Sequence, residues 1–245
     1  MDYNLQIQKV LIRVDEETSP QNKANLLKQA ISIADSHNDI EWGYDLRIDL
    51  MDISNGFAKN TDALPAFVWL LDANDRNPDL FDEKELLWKY KWMIDSAARS
   101  SKVPMEQINA ITADFKTRLQ RNGFSLRAYH GILISIGFIT ENPPMVKEQI
   151  DLREKYERDN ISDSASHDLY DKVLYLLMVN EIDAALALEN ETHKKNMNNI
   201  SNMFAINTCY AEYLTRTGRI DIAERFITDA EKNLSELKFR ECYLM

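Results

Sequence analysis

Apolar residues recur along this chain at spacings of three and four, the pattern of helices that each bury one face. Leu5, Ile7, Val10, Leu11 and Val14 form such a stripe between Tyr3 and Asp15. Pro20, after Thr18-Ser19, suits the first turn of a second helix, in which Leu26, Leu27, Ala30, Ile31, Ile33 and Ala34 make a broad apolar face. His37-Asn38-Asp39 reads as the turn that follows, and a third helix spans Ile40–Phe57. A fourth, Leu64–Asn74, starts after the Thr61-Asp62 cap signal and stops before Asn77-Pro78.

Asp82–Ser100 opens with acidic residues and closes on Arg99, as the helix dipole favours. The next helix enters at Pro104 and ends at the Asn122-Gly123 stop. "SLRAYHGILISIGFIT" is apolar nearly all round beyond Tyr129, so it is expected to be central, and Met145–Arg158 follows Asn142-Pro143-Pro144. Arg158–Asp168 is polar, aperiodic and rich in Ser and Asp, which marks it as an internal break. Leu169–Val179, Ile182–His193, Ile200–Thr217 and Ile220–Leu237 complete the series. Short turns between amphipathic helices predict about twelve helices in about six antiparallel pairs, an all-α fold in which stacked neighbours bury what one pair cannot.

A period of about 34 residues runs through this series. Its clearest copy is Phe204–Leu237, where Tyr210-Ala211 and Leu214 precede Gly218 and then Ala223, Ile227 and Ala230. Arg47–Leu80 repeats it with Leu50, Ile53-Ser54, Phe57, Ala66, Leu70, Ala73 and Pro78. Asn4–His37 offers Ile7, Val10-Leu11, Val14, Leu27 and Ala30, and His167–Asn199 offers Leu169, Leu176 and Ala185 before Glu189 and Thr192 depart from it. In these residues the chain resembles tetratricopeptide repeat proteins, over a little more than half its length. Asn207 stands where that family carries a tryptophan-type residue, and Asp82–Arg158 does not follow the consensus.

The resemblance implies an α-solenoid, a right-handed superhelix of helix pairs formed by residues 1–245 as one domain, whose first helices line a concave groove. It also implies binding of a protein or peptide partner in that groove. Projected onto the matched repeats, Asn55, Tyr170, Glu212 and Arg216 fall on inner faces of first helices. Arg127 and His130 join them if the middle hairpins stack in the same sense. Ala66, Ala73, Ala223 and Ala230 are expected where two helices approach closely, because only a small side chain leaves room there.

Charge narrows the partners. With 40 acidic against 29 basic residues the net charge is −11, and such a surface gains nothing from displacing counterions on a phosphate backbone. Nucleic acid is therefore not the expected partner. The start "MDYNLQIQKV" lacks a signal-peptide pattern, and the longest apolar run, Gly131–Ile139, is too short to span a bilayer. The cytoplasm is the expected compartment, with no membrane partner. Cys209 and Cys242 make no disulfide framework, and Cys209 reads as a core thiol.

Catalytic patterns are sparse. The histidines, His37, His130, His167 and His193, show no metal-ligand spacing, and no phosphate-binding glycine loop or nucleophile elbow occurs. No cofactor is expected. His37 reads as a turn residue, His193 as a solvated helix C-terminal residue, and His130 as an imidazole bonded to a neighbour in the core or at the groove edge. In Trp88-Lys89-Tyr90-Lys91-Trp92 the aromatics are expected to pack while the lysines reach water; base stacking is the competing reading. A non-catalytic binding scaffold is thus the expected function, and a regulatory or sensor module controlling a partner enzyme is the alternative. The apolar tail "LKFRECYLM" leaves three outcomes open: a short cap, self-association with a second copy, or continuation of a longer array.

Overall fold

A computed structural model describes residues 2–54 and 63–237. Asn55 and the tail beyond Leu237 lie outside the described residues. The described residues form helices and no strand. In chain order these are α1 (Tyr3–Glu16), α2 (Pro20–Ser36), α3 (Ile40–Ser54), α4 (Ala63–Arg76) and α5 (Glu83–Arg99). Then come α6 (Met105–Arg121), α7 (Arg127–Ile139), α8 (Pro143–Arg153) and α9 (Ala165–Met178). The last are α10 (Ile182–Ala187), α11 (Glu189–Asn196), α12 (Ile200–Arg216) and α13 (Ile220–Glu236). None is long and apolar enough to cross a membrane.

Helix starts follow local chemistry. Asp2, Ser19, Asn142, Ser164 and Asn199 each turn a side-chain oxygen onto a first-turn amide of α1, α2, α8, α9 and α12. Five helix ends share one turn. Asn38, Gly123, Glu141, Asn180 and Gly218 adopt left-handed backbone, with φ between 49° and 78°. In each, the next amide reaches back to close the helix: Asp39 to Ala34, Phe124 to Leu119, Asn142 to Gly137, Glu181 to Leu176 and Arg219 to Leu214. The next helix begins within a few residues, so the chain folds back immediately.

The sequence predicts one helix over Ile182–His193, yet it breaks at Leu188 into α10 and α11. Just past the break, the Thr192 hydroxyl donates to the Leu188 carbonyl at 2.7 Å.

The chain divides into two compact units, Met1–Ser96 and Ala97–Met245. The division falls inside α5.

In the first unit α2 packs on α1 and α3, and α3 on α4. Ile7, Leu27, Ala30, Ala34, Leu46 and Leu70 are fully enclosed. Trp42 donates to Asn4 at 2.8 Å and Tyr3 donates to Asp39 at 3.0 Å, tying α1 to the start of α3. Phe67 meets Tyr90 edge-on, and Tyr44 stacks on Phe81. In the second unit Ile134 of α7 packs with Val146 and Ile150 of α8. A larger core joins Val173 and Leu177 of α9 to Ala185, Ile206, Tyr210, Leu214, Ala223 and Phe226. Ala223 is 1% exposed, and Ala66, Ala73 and Ala230 are buried as well.

Candidate functional site

A dense set of charged side chains converges on α7, α8 and α9 of the second unit. Arg127, at the start of α7, extends one Nη to the carbonyls of Arg153 and Tyr156, at 3.0 and 2.8 Å, and the other to Asp168 at 2.5 Å. Asp168 lies in the first turn of α9, where a carboxylate is favoured. Arg153 ends α8; its guanidinium, 3% exposed, bonds to the enclosed carboxylate of Asp171 and lies 3.3 Å from Asp168. Arg158 closes on Asp168 from the connecting segment. That segment is itself ordered by Asp159, which accepts from the amides of Ser125, Ile161 and Ser162 and from the Ser162 hydroxyl.

The two aspartates at this centre are tuned in opposite directions. Burial works to raise Asp168, but the hydrogen bond from Arg127, the charge of Arg153 and the bond from Arg158 hold it below the usual carboxylate range. Burial pushes Asp171 up, outweighing the attraction of His167 and Arg153. Asp159 is held low: its hydroxyl and amide donors outweigh burial. The centre is an ion-paired clasp that closes residues 154–164 onto α7 and α9.

Two residues singled out from the sequence lie here. Arg127 is part of the clasp. His130, one turn further along α7, is buried; with its proton on Nδ1 it donates to Gln149 of α8 at 2.8 Å, and it stacks on Tyr156. Burial holds its imidazole below the usual value, against the pull of Gln149. Tyr170 lies apart from them, its hydroxyl 3.4 Å from Cys209 Sγ on α12. Burial raises both the phenol and the thiol, so Cys209 is a poor nucleophile. Glu212 and Arg216 pair with each other at 2.5 Å on the exposed side of α12. The structure thus brings Arg127 and His130 to neighbouring turns and leaves Glu212 and Arg216 as a separate surface pair.

Two expectations from the sequence are corrected. Lys89 and Lys91 do not reach water: they are 4% and 5% exposed, while Trp88 and Trp92 keep partial exposure. Lys89 pairs with Asp52 of α3 and lies 4.7 Å from the Trp92 ring, and Lys91 lies 4.0 Å from Trp88. A cation over an indole is stabilised by the ring quadrupole, so the lysine stems line the interior and the rings cover them. His193 is only partly exposed, and its ring is bonded inward. Its Nε2 meets Asn207 at 2.9 Å, and Asn207 in turn donates to Asn233 of α13 at 2.9 Å. Asn207, the departure from the repeat pattern, is therefore a buried polar link between α11, α12 and α13.

The first unit holds an open groove of about 240 Å³ between α2, α3 and α4. Lys28 and Ile31 come from α2, Arg47 and Leu50 from α3, and Pro65, Ala66 and Trp69 from α4. Arg47 lies flat on Trp69, 3.9 Å from the ring, and is held by the Gly43 carbonyl at 3.0 Å and by Asp35 at 2.8 Å. A Cβ at Gly43 would stand 3.1 Å from Trp69 and 3.2 Å from Arg47, so glycine admits the pair. Sequence reasoning missed this wall. Its signal was an arginine between Leu46 and Ile48 in an apolar run, a position that demands buried partners.

No group of three or more His, Cys, Asp or Glu side chains suited to a metal ion occurs among the described residues. Comparison of the chain with family models, with curated proteins and with solved structures returns no match.

Proposed function

We propose that each unit is a tetratricopeptide-like stack of helix pairs and that the protein is a non-catalytic scaffold for a protein or peptide partner. The observation that carries this reading is the open groove of the first unit, an aliphatic floor with an arginine–tryptophan wall on a helical framework. Buried alanines and five fold-back turns of one kind support the repeat reading. The polar side chains that chemistry would recruit serve packing instead: Asp168 is clasped by arginines, His130 is bonded to Gln149, and the Cys209 thiol is held protonated by burial.

Panning a random peptide library on the immobilised full chain tests the proposal. Enrichment of a related peptide family, whose synthetic members bind in calorimetry with micromolar Kd, is the expected result. Enrichment of no family would overturn the scaffold reading.

A further inference from the structure

We infer that the acidic face of α3 and the acidic start of α5, both in the first unit, form a site for a primary alkylammonium group, from a partner's lysine or from a free polyamine. The site is separate from the groove and does not depend on the scaffold reading. Asp45, Asp49 and Asp52, four and three residues apart, share one exposed face of α3. Asp82 and Glu85 stand at the start of α5, where Asp82 accepts from the Lys84 amide. Two contacts hold these runs together. Lys89 of α5 pairs with Asp52, and Tyr44 of α3 stacks on Phe81, the ring centroids 3.9 Å apart.

Two deficits meet there. The first is charge. Lys89 answers Asp52, but no cation among the described residues pairs with Asp45, Asp49 or Glu85. Burial raises Asp49, and the charges of Asp52, Asp45 and Glu85 raise it further, against the pull of Lys89. The second deficit is a hydrogen bond. Tyr44 is 4% exposed, and its hydroxyl is enclosed without a partner. That hydroxyl is aimed at the carboxylates: after burial, the charges of Glu85, Asp82, Glu83 and Asp45 are what raise the phenol. A buried hydroxyl beside carboxylates that bonds to none of them lacks a group set between. A primary ammonium supplies both, a positive charge and three N–H donors that can meet two carboxylates and the phenol oxygen together. A guanidinium is a flat fork suited to one carboxylate, whereas these stand on two elements. A metal ion fits less well, since no three of these carboxylates are gathered as metal ligands.

Calorimetry on the full chain at physiological salt tests the site, with circular dichroism melting of each variant. The probes are spermidine and a short lysine-bearing peptide, with the norleucine version of that peptide as its uncharged counterpart. Spermidine or the lysine peptide should bind, and the norleucine peptide should not. Asp49→Asn should weaken binding about tenfold, and Tyr44→Phe about fivefold. Neither should lower the melting midpoint of the free chain, because one relieves repulsion and the other removes an unbonded hydroxyl. Glu224→Gln, the same change of charge on α13, should bind as wild type does. Spermidine binding alone would assign the site to a free polyamine, and peptide binding alone to a partner's lysine. Binding of neither probe, an equal loss in Glu224→Gln, or full affinity in Tyr44→Phe would overturn the inference. So would tighter binding of calcium or of the arginine version of the peptide. The panning result bears on the groove alone, so failure of one reading leaves the other standing.

Discussion

Arg153 shows how much one enclosed charge holds in place. It faces Asp171 and Asp168 at once, and nothing else in the clasp reaches Asp171 as closely from another helix. Replacing it by a residue of similar length without charge leaves the enclosed carboxylate of Asp171 without its arginine. Arg153→Met should therefore cost about 3–5 kcal/mol in urea unfolding. Asp168 gives the pH dependence. Its folded pKa is depressed, so its stabilisation is full above the unfolded carboxylate value and is lost as pH falls through the folded value. Asp168→Asn should lower stability at neutral pH and flatten the acid-side decline, by up to about 1.4 kcal/mol per pH unit. Asp171, raised by burial, works in the opposite sense and remains in that variant. An unchanged acid limb in chemical denaturation at a series of pH values would remove Asp168 from this role.

At the scale of elements, close approach and turn shape decide what a substitution does. Glycine in a helix interior ordinarily costs about 1 kcal/mol against alanine. Gly137 of α7 reverses that rule, because its added Cβ would lie 2.7 Å from Cγ2 of the stiff Val146 side chain and 3.4 Å from the Val146 amide. Gly137→Ala should destabilise by about 1–3 kcal/mol, read as a lowered thermal midpoint. Glu141 is the converse. It occupies left-handed backbone with φ 49° at the end of α7, where glycine would carry no strain. Glu141→Gly should raise stability by about 1 kcal/mol in the same measurement.

These cases also mark what the sequence showed and what it hid. Helix starts were legible from local signals, as at Ser19-Pro20 and Asn142-Pro143, because the cap and the helix it serves are adjacent. Three fold-back turns were legible, at Asn38, Gly123 and Gly218, but the same turn at Glu141 carried no marker. The break at Leu188 carries no Gly or Pro, so periodicity does not register it. Side-chain partnerships were hidden for a different reason. Arg127 meets Asp168 and Lys89 meets Asp52 across long stretches of chain, so no window of sequence contains both partners. Lys89 and Lys91 alternate with aromatics, and the pattern alone assigns water to the charges, whereas the rings cover the ammonium groups.

For the molecule as a whole, the chain divides into two units, and the division runs through α5. All four tryptophans, Trp42, Trp69, Trp88 and Trp92, belong to the first unit, so tryptophan emission reports on that unit. Arg153→Met should accordingly lower the melting midpoint followed by far-ultraviolet circular dichroism and leave the transition in tryptophan emission where it was. Equal shifts in both signals would show that the units melt as one cooperative body. The protein thus carries a built-in optical label, confined to the part that contains the groove and with one of its four emitters in the groove wall. A ligand settling against Trp69 would be read as a change in colour and intensity, with no dye attached.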